Sequence, residues 1–171
     1  MANKLRIVVF ILLSITSAQL TAAQTESSQI SSAPVPAQIE TAKRVFISNA
    51  GEENGFHLAT SNYFAGGPNR PYNQFYATIK AWGHYEIANA PADADLIFEI
   101  GLKYLAQPSE SRFQLNILDP RTGVRLWTLN QDVQPAGLPK NREKNYNAAM
   151  DALFQALKNL VSGTASPSSP K

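Results

Sequence analysis

The sequence predicts an α+β fold: a single domain with the order β-α-β-β-β-β-α, in which a mixed sheet ending in a C-terminal β-hairpin is covered by two amphipathic helices. Three observations predict it. Leu96 to Tyr104 is a nearly unbroken apolar strand with Leu96, Phe98, Ile100, Leu102 and Tyr104 on one face. Phe113–Leu118 alternates, and Val124–Val133 returns as its partner strand after Asp119-Pro120-Arg121-Thr122-Gly123, a hairpin turn with Pro early and Gly last. Pro71–Trp82 and Arg142–Val161 both repeat apolar residues at helical spacing.

The remaining elements follow in chain order. Lys4 and Arg6 precede the apolar run Ile7–Ile15, and Thr21-Ala22-Ala23 is a cleavage-type sequence, so residues 1–23 read as an export signal. That run is short of the ~20 residues of a membrane span, so membrane contact is expected only transiently, through the signal. Residues 24–42, rich in Ser, Gln, Ala and Pro, read as a disordered linker, and 162–171 as a disordered tail, leaving 43–161 as the α/β domain.

Val45-Phe46-Ile47 is the first strand, expected to end at Asn49-Ala50-Gly51. Glu52–Arg70 is a long polar segment with several glycines, of a length that in compact domains is often functional, and a short strand around Phe56–Ala59 fits within it. In the first helix Tyr72, Phe75, Tyr76, Ile79 and Trp82 form the stripe and Gly83 is placed for a left-handed cap. His84–Ala88 is a short strand. Pro91, Asp93 and Asp95 form a turn in which the short carboxylates are expected to bond neighbouring N–H groups. Leu96-Ile97-Phe98 in succession suggests a strand covered on both faces at its start. Asn141 is the expected cap of the last helix, whose stripe is Tyr146, Ala149, Met150, Leu153, Leu157, Leu160 and Val161, widened by Phe154.

Composition narrows the chemistry. A hydrophobic fraction of 44% and a charged fraction of 16% describe an ordinary globular chain. With no Cys there is no disulfide, thiolate metal site, thiol nucleophile or lipid-bearing N-terminal cysteine; with the export signal this predicts an exported protein, periplasmic or extracellular, that is not a lipoprotein. Of 15 basic residues, Lys4 and Arg6 lie in the signal; the other 13 balance 13 acidic residues, so nothing points to a nucleic-acid surface.

The layout of an exported chain, Ala92-Asp93-Ala94-Asp95 leading into the Leu96 strand, and Asp119 with Thr122, Gly123 and Trp127 in the hairpin before a final amphipathic helix resembles the α/β domain shared by the TolB amino-terminal domain, the curli-secretion lipoprotein and the penicillin-binding-protein activator lipoproteins. It is more closely similar to small exported bacterial proteins of unknown function with that layout. The resemblance spans about Lys43–Val161 and implies a cell-envelope interaction module. Its motifs are turn and strand chemistry and bring no catalytic residues with them. The chain departs from the pattern in having no lipobox cysteine, propeller or membrane-inserting hairpin.

Catalytic and cofactor signals are sparse. The two histidines, His57 and His84, could serve a hydrolase with Ser48 or Ser61 and Glu52 or Glu53, but no G-x-S-x-G or H-E-x-x-H spacing occurs. Asp93 and Asp95 fail the EF-hand pattern, and the Gly51–Gly55 loop lacks the phosphate-binding motifs. No catalytic residue, cofactor or metal is therefore assigned, and the expected role is non-enzymatic. Phe56, His57, Tyr63, Phe64 and Arg70 are the candidate partner-binding residues, on a segment that a rigid sheet would display. The partner would be another envelope protein, and a sheet edge could pair with a second copy. The rival reading is a small-molecule-binding or hydrolytic protein using His57 and the same segment.

Overall fold

The computed structural model describes residues 34–54, 63–105 and 109–163. The elements are α1 (Ala37–Thr41), β1 (Arg44–Asn54), α2 (Arg70–Trp82), β2 (Glu86–Ile87), a short 3-10 turn (Pro91–Asp93), β3 (Leu96–Tyr104), β4 (Ser111–Leu118), β5 (Arg125–Val133) and α3 (Pro139–Val161). The five strands form one mixed sheet in the order β2-β1-β3-β4-β5. β1 runs parallel to β2 and β3, while β3, β4 and β5 are successively antiparallel. This is the α+β arrangement expected.

One sheet face is covered. Leu96, Phe98, Ile100 and Leu102 of β3 and Phe113, Leu115 and Ile117 of β4 are buried there. Phe75 of α2 meets Phe98 edge to face at 6.3 Å, and Tyr146 of α3 meets Phe113 at 4.8 Å, so both helices lie on that face. The opposite face carries Phe46, Ile97 and Leu118, all partly buried, and then a polar row. Double coverage at the start of β3 is thus incomplete among the described residues: Ile97 is partly buried, on the face that none of their helices covers. In the polar row Asn116 donates to Glu99 (2.9 Å) and accepts from the Thr128 hydroxyl (3.1 Å), which satisfies an amide that is 4% exposed.

Several boundaries depart from expectation. Residues 37–41 form a helix, and Ile39 is fully buried with Ala42 beside it, so the domain begins before Lys43. A single large apolar residue in a polar stretch is too little periodicity to announce this; only the space beside α3 gives Ile39 a place to go. β1 continues past Asn49 because Gly51, at φ 75°, takes up a register irregularity against β3 instead of ending the strand. β2 is shorter than the His84–Ala88 expected. α3 starts at Pro139, whose missing N–H and fixed φ suit the first turn, so Asn141 lies inside the helix and caps nothing. The hairpin turn forms as expected: Gly123 sits at φ 69°, and the Asp119 carboxylate accepts from the Arg121 N–H and the Thr122 hydroxyl, which hold its pKa down. The proposed strand around Phe56–Ala59 and most of the 162–171 tail lie outside the described residues.

The Asp95 carboxylate does not bond its own turn. Its Oδ2 accepts the N–H groups of Lys43 (2.8 Å) and Arg44 (2.9 Å) at the start of β1, while the Asp95 N–H donates to the Arg44 carbonyl (2.8 Å). These two N–H bonds hold the carboxyl below its usual range.

Two outcomes check this account. Ile39→Ala should cost about 2–5 kcal/mol of stability in denaturant titration, whereas a linker residue would change it by less than about 0.5 kcal/mol. Asp95→Ala should cost about 1 kcal/mol at neutral pH, a modest figure because the group is exposed. Because the folded pKa is the lower one, this contribution is complete above the ordinary aspartate value of about 3.9 and fades as pH falls from there. The difference between wild type and Asp95→Ala should therefore shrink below about pH 4.

Candidate functional site

The chain emerging at Tyr63 after β1 is pinned to the N-terminal half of α3. Phe64 is 6% exposed, with its ring 4.9 Å from Tyr146 and 6.5 Å from Tyr104. The Ala65 N–H donates to Glu143 Oε1 at 2.9 Å. Arg70 Nη1 donates to the Ala65 carbonyl (2.8 Å) and to Glu143 Oε2, and Nη2 donates to Asn147 Oδ1 (3.1 Å). The Arg70 guanidinium lies 3.8 Å from the centre of the Tyr146 ring, a cation–π contact shielded from water on one side. Burial pushes the Glu143 carboxyl up, but the Ala65 N–H and the Arg70 guanidinium outweigh it, and the net pKa is lowered.

The candidate residues therefore separate. Phe64 is part of the core and its ring is not available to a partner, because the pocket among Tyr63, Tyr104 and Tyr146 encloses it. Arg70 is committed to Glu143, Asn147 and the Ala65 carbonyl. Tyr63 remains partly exposed, edge to face against Phe64, with its hydroxyl 3.4 Å from the Ala136 carbonyl and the Arg142 guanidinium 4.5 Å from its ring centre. Phe56 and His57 lie outside the described residues. His84 is exposed and stacks on Trp82 at 4.6 Å.

Around Tyr63 the structure assembles residues that spacing alone does not single out. An open groove of about 420 Å³ is lined by Tyr63, Ser109, Pro135, Ala136, Gly137 and Arg142. A neighbouring cleft of about 250 Å³ shares Ser109 and Pro135 with it and extends to Leu105, Ser111 and Arg112. Two of the large apolar side chains most exposed to solvent stand here: Leu105 at 43%, and Leu138, next to Gly137, at 66%. Ser111 Oγ and Arg142 Nε are buried without a hydrogen-bond partner. The signal for this surface was Pro135-Ala136-Gly137-Leu138-Pro139, legible as a chain break but carrying an apolar residue that a plain break does not require.

The titratable groups nearby are shifted mainly by burial. Burial raises the carboxyl of Glu52 and the phenols of Tyr104 and Tyr146. At the opposite end of the sheet, an open polar cleft of about 550 Å³ lies between Gln38, Lys43, Asp95, Asp119 and Arg121. Both aspartates there already accept backbone N–H groups, and among the described residues no three His, Cys, Asp or Glu side chains converge on a metal-sized site. Among the described residues no helix is long and apolar enough to cross a membrane.

No family model matches the chain, and no curated protein matches it. Solved structures overlap it in part. The LpoB C-terminal domain from Salmonella enterica is 8% identical, over 54% of this chain and 82% of that one, with a TM-score of 0.39. A putative neuraminyllactose-binding hemagglutinin homolog from Helicobacter pylori is 11% identical, over 73% and 86%, with a TM-score of 0.47. Uncharacterized lipoprotein B from Nitrosomonas europaea is 15% identical, over 77% and 91%, with a TM-score of 0.36. At these scores the overlap is one of general α/β layout; it does not single out a TolB-like domain and carries no role across.

If Glu143 anchors the returning segment, Glu143→Ala should cost about 2 kcal/mol, because it strands the Ala65 N–H and a partly buried guanidinium. A double-mutant cycle with Arg70→Ala should show a coupling of about 1 kcal/mol in urea titrations. The lowered carboxyl pKa means that this coupling is present above the ordinary glutamate value of about 4.3 and is lost as pH falls below it.

Proposed function

We propose that this chain is an exported, non-enzymatic protein-interaction module of the bacterial cell envelope, and that the groove beside Tyr63 is its contact surface. The carrying observation is a groove walled by Tyr63 and Arg142, with exposed Leu105 in the cleft that adjoins it and exposed Leu138 following its lining residue Gly137 in the chain. Large apolar side chains exposed beside a concave surface gain free energy when a partner covers them, and a ring paired with arginine is a common anchor of such contacts. Lys140, Arg142 and Lys144 outnumber Glu143 in the first turns of α3, at the end where the helix dipole is positive. The partner segment that fits bears an apolar residue for the groove and a carboxylate for Arg142.

The rival, a small-molecule-binding or hydrolytic protein using the 52–70 segment and His57, has one observation in its favour. Burial raises the Glu52 carboxyl, as a general base would require.

Crosslinking in intact cells separates the two. A partner captured by wild type and by His57→Ala, and lost in Tyr63→Ala and Arg142→Glu variants that still fold, supports the interaction module. No partner, together with a turnover activity abolished by His57→Ala, would sink it in favour of the rival.

A further inference from the structure

β5 is the outer strand of the sheet, nine residues long, and among the described residues no strand pairs with its second edge. Free edges are usually blunted by proline, lysine or extreme shortness. The opposite edge strand, β2, has two residues. β5 has no proline and no lysine, and from Leu126 to Gln131 it has no charge; a register irregularity marks only its Arg125 end. Trp127 and Leu129 pair with Ile117 and Leu115, which places them on the helix-covered face, yet both are only partly buried.

We propose that two copies of this chain pair antiparallel through β5, with a two-fold axis at Thr128, to form one continuous ten-stranded sheet. In that register Trp127 lies opposite Leu129 of the second copy, and the reverse, so both partly exposed apolar pairs are covered. Arg125 lies opposite Gln131 and Leu126 opposite Asn130, and no like charges face each other. Centring the axis on Leu129 instead would set Trp127 against Gln131 and leave the larger ring poorly covered.

The helix layer supports the same arrangement. An axis perpendicular to the sheet keeps the two α3 helices on one side. Paired strands are ~4.8 Å apart, while helices in contact are about 8–10 Å apart, so the helices over the two β5 strands must meet closely. Ala148, Ala152 and Ala156 recur every four residues along one side of α3, none fully buried. Ala148 borders a cleft of about 150 Å³ with Gln131 and Asp132, which places that side of the helix over the free edge of β5. A specific interface of standard size buries about 800 Å² per partner, and the paired strands and the alanine side of α3 are the two surfaces this arrangement offers for it.

The chain has no cysteine, so a single introduced thiol reports the register. Residues opposite each other in antiparallel strands have Cα atoms about 4.5–5.5 Å apart, within the ~4.4–6.8 Å of a disulfide. The purified full chain should sediment as a dimer. Thr128→Cys should form a disulfide-linked dimer under mild oxidation at least about tenfold faster than Thr122→Cys, on the exposed hairpin turn, and than Asn130→Cys, which faces Leu126 of the second copy. Ala148→Arg combined with Ala152→Arg should yield monomers with an unchanged far-UV spectrum, and a Tm that, unlike that of the wild type, does not depend on protein concentration. A wild type that stays monomeric at about 100 μM, far above a micromolar Kd, overturns the proposal. So does a dimer in which Thr128→Cys links no faster than the controls, or one that survives the arginine pair.

Discussion

The parallel pairing of β1 with β3 is the constraint on which the rest of the molecule depends. Parallel neighbours cannot be joined by a hairpin, so their register has to be set by contacts between residues far apart in sequence. Here the clamp is Asp95, whose carboxylate takes the Lys43 and Arg44 N–H groups while its own N–H reaches the Arg44 carbonyl. Val45 is thereby set against Leu96, and the pairing runs in that register to Asn49 opposite Ile100, where it shifts before Gly51. A slip of one residue would turn Val45 and Ile47 away from the core and put Phe46 in their place. The Gln38 amide, donating to the Asp95 carbonyl at 2.9 Å, ties α1 to the same point and holds Ile39 in its cavity.

From that clamp the two sheet faces acquire different chemistry. The helix-covered face is aromatic and closely packed, with Phe75, Phe98, Phe113 and Tyr146 in edge-to-face contacts that add to area burial. The other face is stabilised by cross-strand polar pairs: Glu99–Asn116–Thr128, Gln114–Asn130 and Arg112–Asp132. Gly101 belongs to that face because an added Cβ would stand 3.0 Å from the Ala50 Cβ and the Gly51 carbonyl, where β1 is irregular. Antiparallel sheets tolerate such a one-sided arrangement. Extended to β1 and β3, it leaves that face without a helix among the described residues.

Much of the fold was legible because its signals are local. The alternation of β3 and β4, the Asp119–Gly123 turn, and the stripes of α2 and α3 are set by backbone periods of 2 and 3.6, which residue spacing reports directly. The candidate site was legible only in part. Tyr63 stood out as an aromatic in a polar segment, but so did Phe64 beside it, and spacing cannot say which of two adjacent rings turns inward. The pocket formed by Tyr104 and Tyr146 decides that. Arg142, Leu105 and Leu138 were unremarkable in the sequence because what matters about them is their position relative to one another.

By itself the sequence determined the class of the fold, the identity of its main strands and helices, and the turn that joins β4 to β5, since each depends on residues within a few positions of one another. Only the tertiary structure decided that Ile39 is core, that Asp95 serves β1 and not its own turn, that among the described residues no helix covers one sheet face, and that Tyr63 and Arg142 share a groove. Those outcomes join residues far apart in the chain, 52 positions for Lys43 with Asp95 and 78 for Ala65 with Glu143. The physical reason is that burial and hydrogen-bond satisfaction are properties of the assembled chain: a side chain's free energy depends on what the fold brings against it, and local spacing carries no record of that.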